Sequence, residues 1–364
     1  MTDVGPLGGA RVRFGPEIFR IQARGGVSRY IVELHRGLVR AGVDSAIEAG
    51  WHLSDALGGV PEVHGRRSPV GGRPGKLATL VVDELVADTA SRRLQAGDVW
   101  HPSYYPRTVP SGRGRPLLAI TVLDMIHERF AWSMPPRDRS AERKAAACAA
   151  ADLVLCISHD TARDLQERLQ VDPPKVVVTH LGVAPVVPVP RSSPFGDRPY
   201  LVYVGDRRAP YKNWATLLDA LRTVPADVGL LCIGAPASAA DEAEVRSRGL
   251  TGRVRFEGGT DAEVAGRLAA SAGLVYPSRY EGFGLPPLEA LAQGCPVVAS
   301  DAGAIPEVVG EIAILVEPTV DGIGAGIERL LAGGPDVERQ RTGGPAHAAR
   351  FTWDATVEAT LAAY

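Results

Sequence analysis

The sequence predicts an α/β protein built from two doubly wound, mostly parallel sheets, one per domain. Three observations predict it: the length of 364 residues, the recurrence of short apolar runs between amphipathic stretches, and a single break in that rhythm at residues 184–199, APVVPVPRSSPFGDRP. A chain this long exceeds what one hydrophobic core usually organises. Apolar runs alternating with helical patterns are what parallel strands covered by helices on both faces require. The break is crowded with proline, glycine and serine, so it continues neither a helix nor a central strand and reads as a linker over 185–199.

Composition narrows the class. Apolar residues make up 45% of the chain and charged residues 23%, enough for buried cores and without the mark of disorder. A formal charge of -2 supplies no general field for a nucleic-acid backbone, so any anion site must be local. Cys148, Cys156, Cys232 and Cys295 form no CxxC pair and read as reduced core thiols. The N-terminus lacks a basic segment followed by an apolar stretch, and no run is long enough to span a bilayer. The expectation is a cytoplasmic protein with no transmembrane segment and no nucleic-acid partner, with peripheral membrane contact left open.

Each element follows in order. Upstream, GGARVRFGPEIF is a poor first strand and predicts an irregular edge to the first sheet. Gly58–Gly75, which includes Arg66, Arg67 and Arg73, reads as a surface loop. Residues 115–125, 151–158 and 175–183 read as strands, with a helix at 138–150. Beyond the linker, strands at 200–205, 228–234, 253–257, 273–277, 296–299 and 313–317 alternate with helices. In FTWDATVEATLAAY, Trp353, Val357 and Leu361 recur at helical spacing, which suits a terminal helix docked on the other domain. The domains are therefore 1–184 and 200–348, with 349–364 returning to the first.

Chemistry concentrates in a few segments. PSRYEGFGLPPLEALAQG, residues 277–294, follows an apolar strand and opens a helix. Pro286 and Pro287 fit the first helical turn, and Gly284 permits close approach of backbone to ligand. A helix N-terminus at the carboxyl end of a parallel strand is a seat for a diphosphate. Glu281 and Glu289 flank it; each alone would pass as a solvated loop charge or a dipole-complementing helix residue. A second segment, YVGDRRAPYKN, runs off the next domain's first strand and places Arg207, Arg208 and Lys212 beside a helix start after Gly205. Fixed cations there would stabilise the charge that develops on a leaving diphosphate. No DxD motif offers aspartates to a divalent ion, so neither metal nor cofactor is expected.

Glu281-Gly-Phe-Gly-Leu-Pro with Glu289 eight positions on resembles the EX7E motif of retaining glycosyltransferase family 4. The resemblance implies the GT-B architecture of two facing Rossmann-like domains. It also implies that Glu281 contacts the donor sugar, that Glu289 holds the ribose, and that the backbone of Phe283, Gly284 and Leu285 approaches sugar and phosphates. YVGDRRAPYKN resembles the family's G-x-R…K-N segment, which assigns Lys212 and one arginine to the diphosphate; the spacing leaves Arg207 and Arg208 both open. IQARGGVSRYIVELHRGLVRAG resembles the family's GGISRY segment, whose glycine loop, here Gly25 and Gly26, faces the donor diphosphate.

In TVLDMIHERF, Asp124 is a candidate for the sugar or acceptor side, with His127 a weaker one; Leu123 stands where family members carry histidine. His101 is a candidate for lining the acceptor cleft, and Ser158 reads as a helix N-cap. The implied reaction moves a hexosyl-type sugar from a nucleotide diphosphate to an acceptor hydroxyl on a glycan, a lipid carrier or a small natural product. Base, sugar and acceptor stay open. The competing readings are a two-glutamate glycoside hydrolase, a sugar-nucleotide epimerase, and a binding protein of the same fold without turnover.

Overall fold

The computed structural model describes residues 7–23, 25–68, 82, 84–109, 115–184 and 190–364. Arg73 and linker residues 185–189 lie outside the described residues. The chain forms two compact units: Met1–Gly182 together with Trp353–Tyr364, and Val183–Thr352. Within the second unit the two crossing segments pair, Val183 donating its N–H to Phe351 O at 3.0 Å. Among the described residues, no helix is long and apolar enough to cross a membrane.

The first unit is organised on seven strands: β1 (Arg11–Phe14), β2 (Asp44–His52), β3 (Val63–Arg67), β4 (Val99–His101), β5 (Leu117–Val122), β6 (Leu153–Cys156) and β7 (Val176–Val178). Their order is β3-β2-β1-β4-β5-β6-β7, every neighbouring pair parallel. This corrects two expectations. β1 is a regular interior strand rather than an irregular edge. Val12 and Phe14 are fully buried, while Arg11 and Arg13 pair with Asp98 at 2.6 Å and Asp44 at 2.8 Å. Ion pairs let a charged alternation sit inside a sheet. Likewise, part of the expected surface loop is β3: Arg66 and Arg67 belong to an edge strand whose mostly exposed residues leave it no apolar signature.

The helix Gly26–Arg40 turns Tyr30, Ile31, Leu34 and Leu38 inward. It packs on the terminal helix Trp353–Ala363 of the same unit at Gly37, where a Cβ would fall 2.2 Å from Val357 Cγ2. Only glycine permits that approach.

The second unit is built on β8 (Tyr200–Val204), β9 (Gly229–Ile233), β10 (Val254–Glu257), β11 (Gly273–Tyr276), β12 (Val297–Ser300) and β13 (Ile314–Val316), within about two residues of the predicted strands. The order is β10-β9-β8-β11-β12-β13, all parallel. The interior strands are almost wholly apolar and buried, and Leu201, Leu230, Val275 and Val298 share one core with Leu217, Leu221, Ile323 and Ile327 from the flanking helices, while the edge strand β10 carries Arg255 and Glu257. The helix Pro335–Ala348 completes the unit. All four cysteines are buried and free.

Candidate active site

The strand order of the second unit reverses between β8 and β11. In open α/β sheets the crevice outside the carboxyl ends of such a pair is where ligands bind. Both principal segments leave from it, Gly205 directly after β8 and the PSRYEGFG loop directly after β11.

Lys212 closes the short 3-10 turn Pro210–Lys212, and Asn213 behind it adopts φ 59° before the helix Trp214–Leu221. Asparagine tolerates that left-handed geometry because its short side chain bonds locally. Its Oδ1 accepts from Thr216 Oγ1 at 2.7 Å and from Arg279 Nε at 3.0 Å. Arg279 in turn donates its backbone N–H to Tyr211 O at 2.7 Å. The turn carrying Lys212 is thus laced to the loop carrying Glu281.

Lys212 Nζ donates to Glu281 Oε1 at 2.7 Å and to Tyr276 Oη at 3.1 Å. Both side chains of the ion pair are largely shielded, 14% and 11% exposed. Burial opposes the charge on Lys212, but Glu281 and then Tyr211 outweigh it and hold the ammonium above its ordinary pKa. Tyr276 is fully buried, and burial followed by the Glu281 charge pushes its phenol far up, so it is a neutral hydroxyl. An ammonium has three N–H donors; with Glu281 and Tyr276 taking two, the third is available. Gly205 sits against this pair, since a Cβ there would fall 3.1 Å from Tyr203 Oη and 3.5 Å from Lys212 Cδ.

Glu281 is fixed from behind by the loop after β12. Ala304 donates its N–H to Glu281 O at 3.1 Å, and Gly303, at φ 57°, lies so close that a Cβ would meet Glu281 N and O at 2.9 Å. The helix Leu285–Ala292 then begins at Gly284, φ 107°, with no side chain capping it. Gly284 has room for a Cβ, so its backbone conformation is what demands glycine. Phe283 is buried edge-on against Phe351 at 5.9 Å, while Leu285 and Glu289 are half-buried on the first and second turns.

The two arginines separate clearly. Arg207, only 4% exposed, turns into the unit's interior and donates to Ala235 O at 2.8 Å and Asp241 Oδ2 at 3.3 Å, its guanidinium 4.7 Å from the Phe256 ring centre. Arg208 is 75% exposed beside Asp206. The structure therefore brings Lys212, Glu281 and Gly205 together, while Arg207 is held through one guanidinium nitrogen and its Nε and Nη1 are buried without a hydrogen-bond partner among the described residues.

In the first unit, Asp124 follows β5 and its Oδ1 accepts from Ile126 N at 3.0 Å, leaving the side chain 27% exposed. Lys144, fully buried, donates to Asp124 O at 2.7 Å and Glu128 Oε2 at 2.7 Å. Gly25 is extended, and Gln22 fills the space beside it: Gln22 Oε1 accepts from Ser28 N at 3.1 Å, capping the helix Gly26–Arg40. His127 lies 4.0 Å from Asp138. Ser158 caps its helix by accepting from Thr161 N at 3.0 Å. His101 corrects its expectation. It is fully buried, with Nδ1 at 2.6 Å from Tyr364 Oη and Nε2 at 2.8 Å from Thr121 Oγ1, and lines nothing.

Tyr276, Gly303 and Lys144 were not singled out by sequence. Lys144 shares a helical face with Ala147 and Cys148, three and four residues on, and that spacing marks it as inward-facing.

Residues 24–186 match Glycosyltransferase Family 4, and residues 198–333 match the group 1 glycosyl transferases. The chain belongs to the family 4, group 1 glycosyltransferases. This glycosyltransferase is 34% identical over 220 residues to an MMP alpha-(1->4)-mannosyltransferase of Mycolicibacterium hassiacum, 58% of the chain and 53% of that relative. The chain thus spans about half that relative's length. It is 26% identical to the O-antigen chain mannosyltransferase B of Escherichia coli over 93% of the chain and 95% of that protein. Among solved structures, Anabaena HepE in complex with UDP-glucose superposes with a TM-score of 0.71 at 18% identity, covering 97% of this chain and 98% of that one. The glycosyltransferase accordingly has the GT-B fold.

Proposed function

We propose that this glycosyltransferase moves a hexosyl-type sugar from a nucleoside diphosphate to an acceptor hydroxyl, with retention and without a metal. The observation that carries the reading is the Lys212–Glu281 pair at the strand-order reversal, next to a helix start that no side chain caps. The Lys212 ammonium and the helix dipole present positive charge where a leaving diphosphate becomes more anionic. They offer the neutralisation that a divalent ion supplies elsewhere.

Glu281 accepts hydroxyls of the donor sugar, and Glu289 accepts the ribose hydroxyls from the second turn. The backbone of Phe283, Gly284 and Leu285 approaches sugar and phosphates. Of the two arginines, Arg208 is the one exposed to a ligand. From the first unit, Gly25 and Gly26 serve the diphosphate, and Asp124 serves the sugar or the acceptor. Departure of the nucleotide and attack by the hydroxyl take place on one face of the sugar, with Glu281 orienting the donor rather than bonding to it. The relatives' names favour a mannosyl group, and the ligand of HepE supports a nucleotide sugar as donor.

The test is thermal stabilisation by a panel of nucleoside diphosphates with and without EDTA, on wild type, Lys212→Ala and Glu289→Ala. A ligand at a hundred times its Kd adds about 2.7 kcal/mol to the folded state. One diphosphate should stabilise the wild type equally in EDTA and neither variant. Failure of every diphosphate would end the reading, and a glycosyl adduct on Glu281 would overturn the same-face step.

A further inference from the structure

We infer that Tyr276 is a positioning residue, the hydroxyl that holds the Lys212 ammonium in register with Glu281 and aims its remaining N–H out of the strand end. The inference rests on the reading of Lys212 as the cation that meets the diphosphate.

A lysine side chain has four rotatable bonds and reaches many positions with little preference. An ion pair alone does not fix it, because the attraction between an ammonium and a carboxylate varies slowly with angle. Lys212 is held at two points. Glu281 Oε1 takes one N–H at 2.7 Å and Tyr276 Oη a second at 3.1 Å, while the ammonium stands 5.2 Å from the centre of the Tyr276 ring. Two directed donors define the direction of the third. Tyr276 can serve as this fixed point because it is the last residue of β11, is 1% exposed, and has no freedom of its own. Its phenol keeps its proton, so the hydroxyl that accepts from Lys212 still has a hydrogen to donate. Strand, hydroxyl, ammonium and carboxylate thus form one rigid unit, and preorganised charge of this kind acts mainly on the transition state.

The experiment compares wild type with Tyr276→Phe, which keeps the ring and removes only the oxygen. The chain contains four lysines, Lys76, Lys144, Lys175 and Lys212, so competitive trace acylation at one mildly alkaline pH, followed by peptide mass spectrometry, reads each amine separately. Lys212 should be acylated about threefold faster or more in the variant, because an amine that loses a hydrogen-bond acceptor holds its proton less tightly. Lys144 and Lys175 should keep their wild-type rates. In turnover, kcat should fall about fivefold to tenfold with the donor KM within about twofold, and the alkaline limb of kcat should move to lower pH. An unchanged Lys212 rate overturns the inference, and so does a collective rise of all the rates, which would make the hydroxyl merely structural. If no nucleoside diphosphate stabilises the wild type, the functional reading fails by itself, and the acylation rates still decide the part played by Tyr276.

Discussion

The Arg207 guanidinium donates to Asp241 Oδ2 at 3.3 Å, and the same Asp241 closes the capping box of the helix Ala239–Ser247 with Ser238. One carboxylate thereby joins the loop after β8 to the start of the helix that follows β9. Arg207→Met should lower the stability of the protein by about 2 kcal/mol or more, since it leaves a mostly buried carboxylate without its cation. Arg208→Ala should change stability by less than about 0.5 kcal/mol, as exposed substitutions do. Urea denaturation of both variants checks the order. Burial raises the Asp241 pKa, but Arg207 and Ser238 outweigh it and hold it below the ordinary value. The contribution is therefore complete above the unfolded carboxylate pKa and is lost as pH falls through the lower folded one. That acid-side loss should shrink in Arg207→Met.

The His101 imidazole gives an acid response of the same sign, beginning at higher pH. Burial lowers its pKa to about 3, and its two nitrogens face the hydroxyls of Tyr364 and Thr121. The unfolded chain takes up a proton near the ordinary histidine pKa while the folded chain does not. Stability is thus fully present above about pH 6.5 and falls as pH drops from there toward 3. Denaturation midpoints measured between mildly acidic and neutral pH should show this slope, and His101→Gln should flatten it at the expense of neutral-pH stability.

Lys144 and Glu128 meet at 2.7 Å with the lysine side chain wholly buried. Removing one member should be worse than removing both. Lys144→Met is expected to destabilise by about 3 kcal/mol or more, and the double variant Lys144→Met, Glu128→Leu to recover much of that loss. A double-mutant cycle by chemical denaturation checks it; additive losses would refute the pairing.

Gly303→Ala should be costly at the active site. It places a side chain at φ 57°, and its Cβ would lie 2.9 Å from backbone atoms of Glu281. A loss of about 2 kcal/mol is expected from backbone strain and displacement together. Turnover should fall further than at Gly333→Ala, also at positive φ but with nothing within 4 Å of the added methyl.

Much of the second unit was legible because its interior strands are buried and so read as nearly unbroken apolar runs, with glycines and prolines marking the turns between them. The sequence also marked both site segments as leaving strand ends, but not that Lys212 and Glu281 meet between them. What the sequence concealed was set by contacts distant along the chain. Arg11 and Arg13 disguise β1, since nothing local reveals that Asp98 and Asp44 neutralise them. Arg207 and Arg208 are adjacent and chemically identical, and only Asp241, thirty-odd positions on, sends one of them inward. His101 looked available because its chain neighbours are polar and aromatic, whereas its partners Thr121 and Tyr364 come from β5 and from the last residue of the sequence.

Because Trp353–Tyr364 belongs to the first unit, that unit is interrupted by the whole of Val183–Thr352. During synthesis the ribosome delivers the second unit complete and contiguous, while the helix that supplies Val357 to Gly37 and the hydroxyl that meets His101 are still untranslated. Domains usually fold in the order in which they emerge. Here the unit that begins first is the one that finishes last, so the nascent chain carries a complete first sheet without its closing helix while the whole second unit is made.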